Sequence, residues 1–304
     1  MSDLLESWRE IAEAQMFRHG LTATNTEELL TIRDSLSEYE ESSSWTTERI
    51  LENIDGYLTL LCEVEPLNWA LISIWERLSD RSSELRSLEK GQAISELKTT
   101  IDSYVSSSAE AQFAIAERLK SLVPERANVL VPAISSTVYV ALDLCANSGK
   151  TMTIHVPFFY PTNGGAPHFA TEEHLVEFWS RLRRGSNGEE RPNVTFVTLP
   201  FSSMGNLIGE MSVILSGAHA VTRNKCAINR EGIRSIESIA EEIGVPHFVL
   251  CASSKVCPFC LEEGLRIPRG SPRRESVAGS AIVRKWSFFE VLAPNDHWRL
   301  LTES

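Results

Sequence analysis

The sequence predicts an α/β protein, a doubly wound and mostly parallel Rossmann-like sheet preceded by an all-helical N-terminal domain. Three observations lead there. Apolar residues recur at helical spacing through the first third of the chain. Beyond residue 123, short β-rich runs alternate with helical segments. Those runs are nearly continuously apolar, as strands covered on both faces of a parallel sheet must be. At 304 residues, 42% hydrophobic and 23% charged, the chain exceeds one average domain and has globular composition. The expected division is 1–118 for the helical domain and 119–304 for the α/β domain.

In the helical part, the apolar sets are Leu29, Leu30, Ile32 and Leu36, then Ile50, Leu51, Ile54, Leu58 and Leu61, then Leu71, Ile72, Ile74, Trp75 and Leu78. Thr47 and Ser108 are expected to start helices, because a hydroxyl there can accept from free first-turn amides. Serine-rich breaks are expected at Ser42–Ser44 and Ser106–Ser108. Trp8, Trp45, Trp69 and Trp75 invite a protein-partner reading, although spacing places Trp75 with the core set. Five strands follow, at 128–134, 151–159, 193–201, 213–221 and 247–252. Helices fill the gaps at about 136–147, 171–184 and 231–243. Ligands of such sheets sit at the carboxyl ends of the strands, which singles out the residues just after 131, 159, 201, 216 and 251.

The net charge of −12 is unevenly spread. Residues 1–100 carry 20 acidic and 9 basic side chains, and residues 101–304 carry 21 and 20. Such a balance disfavours nucleic-acid binding by phosphate neutralisation, leaving only Ile267–Ser276 as a short basic run, most simply an exposed insertion. No stretch reaches the roughly 18 to 20 apolar residues that span a bilayer, and the first residues lack signal-peptide order, so a cytoplasmic protein without membrane contact is expected. Six cysteines are too few and too scattered for a disulfide framework. His247, Cys251, Cys257 and Cys260 offer four zinc-compatible atoms, but His247 and Cys251 would stand about 13 Å apart along an extended strand, too far for one tetrahedral centre without a bend, so no metal or cofactor is assigned and a zinc-stabilised interaction module stays open as the lowest-ranked reading. The chain has no phosphate-binding GxxxxGK or GxGxxG run.

The stretch from 213 to 255 is the most informative. Gly217-Ala218-His219-Ala220-Val221, Asn229-Arg230-Glu231-Gly232-Ile233, Val245-Pro246-His247-Phe248-Val249 and Ser253-Ser254-Lys255 follow one another. This order resembles the initiation factor 2B-like family, which holds the regulatory alpha, beta and delta subunits of translation initiation factor 2B and two isomerases, of methylthioribose-1-phosphate and of ribose-1,5-bisphosphate. Upstream residues 115–156 and the ending FFEVLAPNDHWRLLTES resemble the family's first strands and its close. The resemblance implies a homodimer, a further protein partner being open, and an anionic small-molecule ligand, a phosphorylated metabolite or a nucleotide.

Several positions depart from the family pattern. The isomerases' Cys and Asp correspond to Ala133 and His219, and alanine offers neither nucleophile nor proton. The family's Arg-containing motif after the second strand becomes Pro157-Phe158-Phe159-Tyr160-Pro161. A regulatory or ligand-sensing protein is therefore expected rather than a sugar-phosphate isomerase. The alternative is an enzyme with a rebuilt pocket, in which His219, Ser135 and Ser136 do the chemistry. His219 at a strand end can serve as acid, base or hydrogen-bond partner, or be merely structural. Ser135 and Ser136 open a helix and can hold an oxyanion or simply cap it. Gly217, Asn229, Arg230, Lys255 and Tyr160 complete the expected ligand-binding set, Arg230 bringing a fork suited to phosphate or carboxylate.

Overall fold

The computed structural model describes residues 21–64, 68–158, 172–184, 188–260, 273–277, 280–284 and 289–304. Its first part is helical: α1 (Leu21–Glu41), α2 (Thr47–Val64), α3 (Trp69–Asp80), α4 (Ser82–Ser87) and α5 (Lys90–Lys120). Leu29, Ile32 and Leu36 of α1, Ile50, Ile54, Leu58 and Leu61 of α2, and Leu71, Ile74 and Leu78 of α3 form one buried cluster with Leu97 and Ile101 of α5. Burying such stripes against one another stabilises helices that would be marginal alone. Asn25 and Asn68 exchange side-chain amide bonds of 2.9 and 2.6 Å across the bundle, and Asn68 also accepts from the Leu71 amide to cap α3. Leu30, Ile72 and Trp75 are only partly buried, and the Trp75 indole donates to Asp55 at 2.8 Å.

Two helix starts differ from expectation. The hydroxyl that receives a first-turn amide of α2 belongs to Thr46, one residue earlier than expected, at 3.3 Å from the Arg49 nitrogen. Ser108 starts nothing, because it lies inside the 31-residue α5. The serines there bond within the helix instead, as when Ser107 Oγ donates to the Ser103 carbonyl at 2.5 Å. The break at Ser42–Ser44 does separate two helices. Packing explains the unbroken helix: Leu97 and Ile101 sit in the bundle core, whereas Ile115, Ala116 and Leu119 sit in the core of the sheet. The expected boundary after residue 118 falls in the last turn of this shared helix.

The sheet follows, from β1 (Arg126–Leu130), β2 (Thr151–Phe158), β3 (Val194–Pro200), β4 (Val213–Gly217), β7 (His247–Leu250) and β11 (Trp298–Leu301), in the order β11-β7-β4-β1-β2-β3 and parallel throughout. Its connecting helices are α6 (Ser136–Asn147), α7 (Glu172–Arg183), the short α8 (Met204–Leu207) and α9 (Ile233–Ile243). Val129 and Val131 face α6 and α7, while Leu130 and Ile214 face α8 and α9, so the sheet is covered on both sides. A small antiparallel sheet, β10-β6-β5, packs beside it, built from β5 (Ala220–Val221), β6 (Ala227–Arg230) and β10 (Phe289–Leu292). Strand β8 (Arg273–Val277) pairs antiparallel with β9 (Ser280–Arg284), so the end of the basic run 267–276 is β structure.

The expected strand 213–221 is two strands, because the chain turns at Ala218 and His219 between β4 and β5. Strands β5, β6, β10 and β11 are additions to expectation; their two- and four-residue lengths leave no periodicity to detect.

Candidate ligand crevice

Strand order fixes where a crevice opens. From β1 the chain moves outward to β2 and β3, then returns to lay β4 on the other side of β1 and proceeds through β7 to β11. The direction of winding reverses between β1 and β4, and the loops leaving their carboxyl ends diverge there. Ser135 and Gly217 meet at this point. A Cβ on Gly217 would lie 2.5 Å from Ser135 Oγ and 3.1 Å from its Cβ, so any side chain at the end of β4 would force Ser135 to shift. Ser135 is the N-cap of α6, its hydroxyl accepting from the Val138 amide at 3.3 Å. Ser136 begins that helix and receives a bond from Gln112 of α5 at 3.4 Å.

Asn229, buried in β6, holds the crevice wall together. Its side chain donates to the Gly217 carbonyl at 2.6 Å and accepts from the Arg230 amide at 2.8 Å. Arg230 reaches over the Phe289 ring, 4.9 Å from its centre. His219 stands edge to face with the same ring, also at 4.9 Å, while its backbone amide donates to Ile228. Its Nδ1 is cut off from solvent with no hydrogen-bond partner. Burial, reinforced by the Arg230 and Lys255 charges, holds the imidazole well below its usual pKa and therefore neutral at neutral pH.

Lys255 comes from the turn after β7 and is buried, only 5% of it reaching solvent. Its Nζ donates to the Ala218 carbonyl at 3.2 Å, and among the described residues it forms no ion pair with a carboxylate. Burial lowers its pKa, opposed by Cys251. A buried ammonium facing only a carbonyl is an electrostatic cost that a bound anion would offset. Gly217, Asn229, Arg230, His219, Ser135 and Lys255 thus lie around one strand-end corner, with Ser136 at its edge. Tyr160 lies outside the described residues. Ala133 and His219, at the departures from the family pattern, follow the neighbouring strands β1 and β4.

Directly beneath lies a polar network that the sequence reading missed. Ser216 Oγ is 2.8 Å from His247 Nε2, and His247 Nδ1 is 2.5 Å from Glu237 Oε2. The other carboxylate oxygen meets His297 Nδ1 at 2.9 Å and the Asn295 amide at 3.2 Å. Ser216, His247 and Glu237 are each buried. Burial would raise the Glu237 carboxyl, but the His247, His297 and Asn295 bonds prevail and hold its pKa at about 2. If His247 carries its proton on Nδ1, it donates to Glu237 and its Nε2 accepts from the Ser216 hydroxyl. The serine–histidine–carboxylate order resembles a hydrolytic triad, yet the serine hydroxyl is buried within the sheet, and the network acts as a brace under Gly217. One signal could have revealed it: Glu237 occupies the buried stripe of α9 with Ile233, Ile236 and Ala240.

His247 is thereby separated from the cysteines considered as its zinc partners. Cys251 directs its thiol at the Ala252 carbonyl and Cys257 at that of Phe259, and burial pushes the Cys251 thiol up to about 12. Among the described residues, no three His, Cys, Asp or Glu side chains are grouped to hold a metal ion. No helix among them is long and apolar enough to cross a membrane.

Residues 189–275, which run from the approach to β3 into β8, match the sequence profile of the Initiation factor 2 subunit family, IF-2B. Among curated proteins none matches the sequence. Solved structures share the fold along nearly the whole chain. The translation initiation factor eIF-2B of Pyrococcus horikoshii OT3 superposes with a TM-score of 0.68 at 16% identity, covering 97% of this chain and 94% of that one. A chain of the tetrameric eIF2B beta2-delta2 complex of C. thermophilum gives 0.63 at 17% identity, covering 98% and 88%. The 5-methylthioribose 1-phosphate isomerase of P. horikoshii OT3 gives 0.65 at 14% identity, covering 98% and 83%. At such identities these likenesses speak to fold alone. The profile match takes in β4, β6 and β7, so the similarity to that family in sequence lies in the strands around the crevice.

Proposed function

We propose that the protein binds an anionic small molecule, a phosphorylated metabolite or a nucleotide, at the corner between β1 and β4, and acts as a regulatory or ligand-sensing protein rather than a sugar-phosphate isomerase. Buried Lys255, with no carboxylate partner among the described residues, carries this reading. Arg230 adds a second cation, and Ser135 brings the start of α6, whose free amides favour negative charge. Ala133 and His219, where the family isomerases use Cys and Asp, argue against the family chemistry. The reading includes a cytoplasmic homodimer, consistent with relatives solved as multi-subunit complexes. A second reading, an enzyme with a rebuilt pocket, draws on the solvent-shielded, unpartnered Nδ1 of His219.

The test is thermal unfolding with inorganic phosphate and nucleoside monophosphates, for the wild type and Arg230→Ala. Ligand at about 100 times Kd should stabilise the wild type by about 2.7 kcal/mol, and Arg230→Ala should lose that gain. Equal stabilisation of both proteins would remove Arg230 from the site.

A further inference from the structure

We propose that anion binding at this corner is coupled to proton uptake by His219, so that the site favours dianions and tightens as pH falls. The inference rests on the anion-pocket reading above and adds a proton to it. Geometry supplies the argument. The imidazole stands against the Phe289 ring with its Nδ1 buried and unpartnered. Among the described residues, the charged groups that act on it are both cations, Arg230 from β6 and Lys255 from the turn after β7.

Among the described carboxylates, Glu231 adjoins Arg230 in sequence, and burial together with Glu290 raises its pKa. Glu290 of β10 accepts from the Gly232 and Arg234 amides at 3.0 Å each, and Glu303 accepts from the Ser253 amide. The Cys251 thiol is held neutral by burial, and the Asn229 and Ser135 side chains carry no charge. Arg230 and Lys255 both oppose a further positive charge on His219. A dianion cancels those two charges, and the imidazolium can then donate its new N–H to an anion oxygen, giving the buried Nδ1 a partner. In this role His219 is a proton-linked binding group.

Sulfate is the probe, because it has no proton to gain near neutral pH. Titration calorimetry at about pH 6, in two buffers of different ionisation enthalpy, counts protons taken up per sulfate bound. For the wild type, up to one proton is expected, with Kd tightening by as much as roughly tenfold per pH unit on acidification. His219→Asn and His219→Gln should still bind sulfate, with no uptake and a flat pH profile. Wild-type binding without uptake overturns the inference and leaves the anion pocket standing. Uptake that survives in a folded His219 variant also overturns it, moving the proton to Lys255. Absence of sulfate binding by the wild type removes the pocket reading and the inference together.

Discussion

Replacing Glu237 by glutamine tests whether the buried brace beneath the crevice stabilises the fold. The folded carboxyl titrates at about 2 against an ordinary value of 4.5. At about 1.4 kcal/mol for each pH unit, that difference corresponds to about 3 kcal/mol of stability. The sign follows from the direction of the shift. As pH falls, the unfolded chain takes up this proton first, so the contribution is complete above about pH 4.5 and is lost as pH falls towards about 2. Glutamine keeps the shape but loses the charge, and its NH2 group would face the N–H of one histidine or force that ring to change tautomer. Urea unfolding at fixed protein concentration, followed by tryptophan fluorescence, should show Glu237→Gln about 3 kcal/mol less stable at pH 7. The gap between the two proteins should narrow between about pH 4.5 and 3. A loss below about 1 kcal/mol at pH 7, or a gap that stays constant into acid, would refute the reasoning.

Gly217→Ala places a methyl group 2.5 Å from Ser135 Oγ and should cost about 1–3 kcal/mol in thermal unfolding. The pair Gly217→Ala with Ser135→Gly should recover much of that loss, since the clash disappears and glycine caps helices nearly as well as serine. Coupled assays on methylthioribose-1-phosphate and on ribose-1,5-bisphosphate should detect no turnover, given Ala133 and His219; robust isomerisation of either sugar would contradict the site reading.

The class of the fold was legible because both of its signals are one-dimensional. Amphipathic stripes such as Ile50, Ile54, Leu58 and Leu61 announce helices, and uninterrupted apolar runs such as Val213-Ile214-Leu215 announce strands covered on both faces. The helices over 136–147 and 172–183 therefore fall where the sequence puts them, with ends matching to within a residue. Ser106–Ser108 misled, because serine weakens a helix only modestly and a helix packed into two cores at once absorbs that cost. Strands β5 and β6 were invisible for another reason: segments of two and four residues exist only because neighbouring strands complete their hydrogen bonds.

By itself, the sequence determined the helical first part, the parallel sheet, the family resemblance and the residues at the strand ends, because local periodicity and short motifs are written along the chain. Only the tertiary structure decided that Gly217 abuts Ser135, that Lys255 is buried facing a carbonyl, and that Ser216, His247, Glu237 and His297 form one network. Those relations join residues far apart in the chain through the order in which strands pair, and burial and electrostatic pairing depend on that arrangement in space.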